Sequence, residues 1–509
     1  MFRSSAQLTA SFMELNSAST YRMKPNFKLF LIITVAVVAV MLSITSGCGS
    51  STQASDVPIL KILSISRVST DSAGRQANGK SSYTISVSKD GNYVAFSSEA
   101  SNLVQEATNG KKDVFVKDTK SGSIINVSTD SSGNPGNGDS DHPSISADGR
   151  YVAFDSNATN LVPGDTNQCK HYNSSTGNYD NWTTNCQDVF VKDTKTGSIT
   201  RVSTDSSGRQ ANVVSTDPAI SGDGRFVAFD SHGLLPGDTD DWTEVYVKNI
   251  QTGVVTKVST DISGKSGDGD SGQERPVISY DGRFVAFFAQ TSGLVGKASE
   301  MGDVFIKDTQ TGAINRVNTT SAGVAAGGYS YGISISGDGR FVAFDSDSPG
   351  LISDKTNKCQ FASPSSGGSC HDVYVKDMQT GMIKRISLSS SGTQGNDNSD
   401  DPAISGDGRY VAFRSNASNL VSGDTNQCSR SDGSKFNCSD VFLKDTQTGV
   451  IIRVSVDSSG NQANEASNSP IVSVDGSSVA FRSEASNLVP GDSNGEGDIF
   501  FTTIQSLTN

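Results

Sequence analysis

Ser221-Gly-Asp-Gly-Arg-Phe-Val-Ala-Phe-Asp230 reads as a strand end, a tight turn and a returning strand. Asp-Gly between apolar runs is the strongest short-range hairpin signal, because the glycine takes up a positive φ without steric cost. The same phrase, Ser-x-Asp-Gly followed by Val-Ala-Phe, returns with its aspartate at Asp90, Asp148, Asp223, Asp281, Asp338, Asp407 and Asp475. A second phrase, Asp-Val-Phe-Val-Lys-Asp and its relatives, begins at Asp113, Asp188, Glu244, Asp303, Asp372, Asp440 and Asp498. A third, Arg-Val-Ser or similar, begins at Arg67, Asn126, Arg201, Lys257, Arg316, Arg385 and Arg453. Each unit therefore holds four strands: a and b around Asp-Gly, then c and d around a second tight turn such as Lys195-Thr196-Gly197.

Periodic units of this kind build rings or solenoids, in which each unit buries its faces against its neighbours. A small alanine at the centre of strand b, between Val and Phe, suits a sheet packed on both faces. The chain opens on a strand d (Leu60 to Ser69) and ends on a strand c near Phe500. That order predicts an all-β, seven-bladed β-propeller of four-stranded blades, with the N-terminal strand completing the last blade and removing its exposed edge. The expected divisions are 1–22 as an extension or start-site overrun, 23–47 as an export signal, 48–58 as a tether and 59–505 as the propeller. Units average about 64 residues against roughly 40–45 for a minimal WD40 blade, and the three widest spacings are those that hold cysteine pairs.

These residues carry a family resemblance. Ser221 to Asp230 and its six relatives resemble the WD40-like PD40 repeat in the propeller of TolB-type periplasmic proteins, over residues 58 to 505. The resemblance implies the fold and leaves activity open, since the same blade serves in assembly proteins and in peptidase gating domains. This chain departs from TolB by lacking the α/β domain in front of the propeller, so a Tol-Pal role does not carry over.

The export address is in the first fifty residues. Leu29 to Thr45 is an uncharged apolar run preceded by Lys24 and Lys28, the layout of a secretory signal. Thr45-Ser46-Gly47-Cys48 resembles a bacterial lipobox with Thr where Leu is usual, which implies cleavage before Cys48, its acylation, and placement on the outer membrane or cell surface. An uncleaved anchor and ordinary secretion to the periplasm or beyond are the other two readings; all three export the rest. Six further cysteines form close pairs, Cys169 with Cys186, Cys359 with Cys370 and Cys428 with Cys438, each just before a strand c. Pairing within each loop is the economical connectivity and fits an oxidising compartment. Zinc is disfavoured because no pair has CxxC spacing and no histidine recurs beside them.

With 41 Lys and Arg against 54 Asp and Glu, the net charge is −13, which excludes a nucleic-acid surface and points to cations, sugars or basic partners. Only four histidines (His142, His171, His232, His371) are present, too few for a multi-histidine metalloenzyme. Gly328-Tyr-Ser330-Tyr-Gly332 fits GxSxG, yet it lies between blades with no helix after it, so it is expected to be a Gly-rich loop. Asn137 to His142 is expected to be a solvated loop. In this topology the b–c loops and blade connections share one face. That rim collects Asp139, Asp141, Asp268, Asp270, Asp397, Asp400 and Asp401 from the connections, plus Asp165, Asp238, Asp424 and Asp492 from the b–c loops. Asp492, Asn494 and Glu496 resemble the start of a calcium loop, although Thr503 stands where the twelfth-position Glu belongs; calcium there is the one cofactor considered. The expected function is an exported, lipid-anchored scaffold that binds an envelope protein or carbohydrate on its loop-rich rim. The alternative is a hydrolase or lyase acting on polysaccharide or peptide at the channel mouth, with paired carboxylates as acid and base. A structural surface protein without a specific ligand is a third possibility.

Overall fold

The computed structural model describes residues 59–507 apart from 106–108, 174–177, 212, 237, 239–241, 273, 297–301, 354–358, 360–369 and 430–432. The expected signal, tether and Cys48 lie outside the described residues. Seven antiparallel four-stranded sheets follow one another in the described chain. Blade 2 is representative: a (Ser140–Ile145), b (Tyr151–Ser156), c (Asp188–Asp193) and d (Ile199–Arg201) pair in that order from the channel outward. The last blade holds Ser467–Val472, Ser478–Ser483 and Asp498–Leu507, and its fourth strand is Ile59–Arg67, in register from Ile59 opposite Leu507 to Arg67 opposite Phe500. The closure read from element order is therefore present.

Each blade crosses an aromatic of strand b with one of strand c, as in Phe154 opposite Phe190, with ring centroids 5.9 Å apart. Blade faces then interlock: Val152, Phe154 and Phe190 of blade 2 pack on Ala95, Val114 and Val116 of blade 1. Only alanine fits at the centre of strand b where a neighbouring phenylalanine presses on it, which accounts for the repeated Val-Ala-Phe. A lysine near the end of strand c also joins blades. Lys192 Nζ, for example, donates to the carbonyls of Thr129 and Asp130 in the loop leaving blade 1.

The a–b turn holds the ring together. In Ser146-Ala-Asp148-Gly149 the serine hydroxyl donates to Asp148 (2.6 Å) and accepts from the Tyr151 N–H, while Asp148 accepts from the Arg150 N–H. The second residue of every turn bonds its neighbour through the backbone. N–H groups of Lys89, Ala147, Asp223, Tyr280, Gly337, Gly406 and Asp475 donate to the carbonyls of Ala147, Gly222, Tyr280, Gly337, Gly406, Val474 and Lys89, at 2.8–3.1 Å. This is a closed collar around the turn end of the channel. Large residues there meet glycines across blade boundaries: a Cβ on Gly222 would lie 2.3 Å from the Tyr280 ring, and one on Gly406 2.4 Å from Val474.

Three disulfides join Cys169 to Cys186, Cys359 to Cys370 and Cys428 to Cys438, which places the propeller in an oxidising compartment of the envelope type. Two of these loops carry extra hairpins of their own, Gln168–Asn173 with Asn178–Asn185 and Gln427–Ser429 with Lys435–Asn437.

Glycine in the a–b turn is required twice over, by φ and by packing. Gly282 has φ +77° and a Cβ there would sit 2.2 Å from Phe226, whereas Gly312 in a c–d turn has φ +75° and open space. Gly282→Ala is expected to cost about 2–4 kcal/mol and Gly312→Ala about 1 kcal/mol, measured by urea denaturation.

Candidate functional site

The channel is lined by the innermost strands of all seven blades and has a volume of about 480 Å³. The collar rings the turn end of the channel, and its other end, the mouth, lies on the loop-rich face. Two residues per blade decide the chemistry there. One is the fifth residue of strand b, where the otherwise repeated Val-Ala-Phe-x-Ser changes: Ser97, Asp155, Asp230, Phe288, Asp345, Arg414 and Arg482. The other is the residue before a proline near the start of strand a: His142, Asp217, Arg275, Asp401 and Ser469, with Gly332 standing in blade 5.

The second set is held under strain. His142, Asp217, Asp401 and Ser469 have φ of +50° to +56°, a left-handed conformation that costs roughly 1–3 kcal/mol for a side chain other than glycine. A register shift in each of these strands accompanies it, between Asp141 and Ser144 in blade 2 and between Asp400 and Ala403 in blade 6. The bulge turns these residues toward the mouth instead of along the ladder. Asn137 to His142 is thus corrected: Ser140–Ile145 is a channel strand, with His142 part of a buried network. Gly328 to Gly332 is likewise the entry to a strand. Ser330 starts Ser330–Ile335 and bonds the Ser346 hydroxyl at 3.1 Å.

Three aspartates at the strand-b position have different surroundings. Asp155 receives His142 Nδ1 (2.7 Å), the Asp217 N–H (3.0 Å) and Gln187 Nε2 (2.8 Å). Burial opposes the charge on His142, but the hydrogen bond to Asp155 and the charges of Asp155, Asp217 and Asp141 outweigh it and raise its pKa to about 9. Asp345 receives His371 Nδ1 (2.9 Å) and the Asp401 N–H. Asp230, 1% exposed, has no hydrogen-bond partner on either carboxylate oxygen among the described residues. Burial, with Asp217 and Glu274 adding repulsion, pushes its pKa well above the usual carboxylate range. Burial also raises Glu274 to about 7, helped by Asp345, Asp401 and Asp217 across the mouth, and Asp401 to about 6.

Positive charge at the mouth is committed elsewhere. Arg275 reaches over blades 2 and 3 and donates to the carbonyls of Pro218 (2.6 Å) and Pro143 (2.9 Å). Arg414 makes a bidentate pair with Asp400, and Lys112 pairs with Asp141. Arg482 lies over the Tyr83 ring. Beside Glu274, three aromatic rings stack from core to rim, Phe288 to Tyr331 (5.2 Å) to Tyr329 (5.8 Å).

The rim acids of the b–c loops have a different role from the one expected of them. Asp165, Asp238, Asp424 and Asp492 pair with the basic residue of strand d, Arg201, Lys257, Arg453 and Arg67, at 2.7–3.2 Å and with little exposure. Asp492 also accepts from Gln76, and Asn494 donates to the Ala77 carbonyl, both within the clasp. Asp139 and Asp270 accept the N–H groups of Lys112 and Thr243 and pin the entry to strand c; Asp268 caps Ser292. Of the expected rim acids, Asp141, Asp400 and Asp401 belong to the mouth. Asp155, Asp217, Asp230, Glu274 and Asp345 were missed, although the fifth column of strand b shows three of them as the one changing place in a repeated phrase.

The disulfides act on this site. Each ends one residue before a side chain that turns into the mouth: Cys186 before Gln187, which bonds Asp155; Cys370 before His371, which bonds Asp345; Cys438 before Ser439, which bonds Asn468 (2.8 Å).

No family model and no curated protein matches this chain. Among solved structures it is similar to TolB from Acinetobacter baumannii, at 15% identity over 67% of this chain and 59% of that one, with a TM-score of 0.35. It is similar to a putative TolB from Agrobacterium tumefaciens, at 15% identity over 78% and 98%, TM-score 0.37. It is also similar to an oligogalacturonate lyase from Vibrio parahaemolyticus, at 11% identity over 88% and 97%, TM-score 0.49. These likenesses concern the propeller alone.

Two outcomes are expected. Because its folded pKa is raised, protonated His142 contributes stability that is complete below about 6.5 and lost as pH rises through about 9; an NMR titration should place its midpoint well above 6.5, and Asp155→Asn should bring it down. For Asp230 the sign is the same and the window lower: the fold favours the protonated acid, so stability falls as pH rises above 3.8. Asp230→Asn should therefore melt higher than the parent at pH 8 and differ least from it at pH 4, by calorimetry.

Proposed function

We propose that this protein is a non-enzymatic binding scaffold of the cell envelope, tethered by lipid at Cys48, which holds a polypeptide partner on its loop-rich face. One observation carries this reading. Seven copies agree wherever a side chain builds the ring and diverge into charge at the single circle of positions that faces the mouth. Agreement among copies marks packing, and divergence on one face of a rigid frame is how binding surfaces are made. The strained residues belong to that circle, and backbone strain retained at equivalent places in several blades fits a positioned site. The disulfide-braced loops stand around it. Lipid attachment would set the channel axis near a membrane; a single chain anchors weakly, so more than one is implied.

The enzymatic alternative has one observation in its favour: Glu274, at about 7, holds a proton near neutral pH, as a general acid must. Glu274→Gln separates the two readings if turnover of an envelope polysaccharide or peptide is ever detected, since acid catalysis would drop by about 10²-fold or more.

Expression in a bacterial host should give a mass for a chain starting at acylated Cys48, lighter by six hydrogens than the reduced form, and Cys48→Ala should move it from the membrane to the soluble fraction. Crosslinking in intact cells should trap an envelope protein through residues on the loop face. Crosslinks that form equally from the a–b turn face would remove the docking reading.

A further inference from the structure

The mouth contains more negative charge than its own residues balance, and the imbalance is local. Asp155 and Asp345 serve as internal controls for Asp230. Both receive a histidine and a backbone N–H from the next blade, the histidine coming from strand a for Asp155 (His142) and from just before strand c for Asp345 (His371); at Asp230 those two positions are Asp217 and Thr243, and the next inner strand is cut to Val277–Ile278 by the inserted segment around Gly272. Gly272 fits there because a Cβ would lie 2.3 Å from Asp230 Oδ1. Asp230 is left buried without a donor among the described residues. In front of it, Glu274 makes no hydrogen bond or ion pair among the described residues, and Asp401 opens into the channel from blade 6. The nearest cations, Arg275 and Arg414, are spent on carbonyls and on Asp400.

The shape of the vacancy distinguishes between cations. Among the described residues, the acidic group whose oxygens and nitrogen lie within 4.8 Å of one another is His142, Asp155 and Asp217. Its histidine nitrogen and both Asp155 oxygens already satisfy one another and Gln187. Asp230, Glu274 and Asp401 do not meet that spacing, so a single metal ion would not collect them. A planar cation with several donors spans wider gaps. Tyr331 is covered by Phe288 on one side and Tyr329 on the other, so the outer ring of the stack, Tyr329, supplies the aromatic face that attracts such a group.

We propose that the mouth between blades 3 and 6 is a binding site for a guanidinium or alkylammonium side chain of the partner polypeptide. Glu274 and Asp401 contact the cation, Tyr329 offers the ring face, and Asp217 supplies field from behind. Arginine fits better than lysine, since its fork reaches two carboxylates while its plane stacks on Tyr329. This rests on the docking reading above and names the chemistry of the docked residue.

The test is NMR titration of the propeller with N-acetyl-arginine methylamide, N-acetyl-lysine methylamide, the neutral glutamine analogue, butane-1,4-diamine and calcium chloride. Saturable shifts at Glu274 and Tyr329 are expected with the arginine probe, weaker ones with lysine and none with glutamine. Glu274→Gln and, separately, Asp401→Asn should weaken arginine binding about ten-fold or more, with the melting temperature confirming a folded variant. Tyr329→Leu should weaken it by about three- to ten-fold. No saturable binding of the arginine probe, or equal binding by the Gln and Asn variants, overturns the proposal. Calcium shifting these resonances while arginine does not makes it a metal site instead, and tighter binding of the diamine than of arginine assigns the mouth to free polyamines. If crosslinking to a partner on the loop face persists undiminished in Glu274→Gln, the docking reading stands and this inference alone fails.

Discussion

A ring of seven backbone hydrogen bonds, one from each a–b turn to the next, fixes the geometry on which the rest of the molecule depends. The ring closes because every turn donates a backbone N–H to the carbonyl of the next turn's second residue in the same direction, from its own second residue in five blades and from Asp223 and Asp475 in blades 3 and 7. That demand falls on Ser-x-Asp-Gly: the serine and aspartate lock the turn internally, and the glycine adopts the left-handed φ that directs the second residue's peptide along the circle. It explains why this phrase is repeated while its second residue runs through Lys, Ala, Gly, Tyr and Val. Side chain at that place is free, within the space left by its neighbour, because the bond uses only backbone. The N-terminal strand completes the constraint, since without Ile59–Arg67 the last blade would lack the outer strand whose arginine pairs with Asp492 and Asp498.

A frame held so firmly can carry unfavourable features. Left-handed residues before proline on strand a, an unpartnered buried aspartate on strand b and a carboxylate with a pKa near neutrality just before a strand a all sit toward the opposite end of the blades. Each alone costs on the order of 1–3 kcal/mol. Blade-to-blade packing over buried Val-Ala-Phe cores offsets them, so the stable end and the strained end are parts of one design of blade. The variation among blades is also ordered around the circle. At the strand-b position carboxylates stand in blades 2, 3 and 5 and arginines in blades 6 and 7, with Arg414 paired to Asp400 beside Asp401. A ligand entering the mouth therefore meets a field with direction as well as sign.

How much of this could be read from the chain follows from where each interaction lies in sequence. Blade number, strand order and closure are legible because their determinants are local and repeated. The loop acids were misplaced because their partners are remote: Asp165 meets Arg201 and Asp492 meets Arg67, pairings that only the folded blade creates. His142 was read as solvated for the same reason, since Asp155 lies on the paired strand across a bulge. Yet the strand-b column was in plain view. Reading Phe-Asp-Ser, Phe-Phe-Ala and Phe-Arg-Ser as a changing place within a fixed phrase would have located the mouth before any coordinates existed. What the column could not tell is that Asp230 lacks the donors that Asp155 and Asp345 have, because that depends on the shortened inner strand of blade 4.

The disulfides connect the two ends of the argument. They close short loops, and the chain-entropy benefit of such closures is about 3 kcal/mol each; yet the seven sheets are complete without them. Their position is the informative property. Gln187, His371 and Ser439 each sit between a half-cystine and the first residue of strand c, so the bond fixes the backbone from which a mouth donor extends. In blade 1, which has no disulfide, Lys112 fills the corresponding place with a long side chain that finds Asp141 by reach. Short donors need a fixed base and long ones do not. Disulfide formation thus does more than fasten loops: it fixes the backbone beside the donors of Asp155 and Asp345, whereas the sector around Asp230 and Glu274 has no such brace among the described residues.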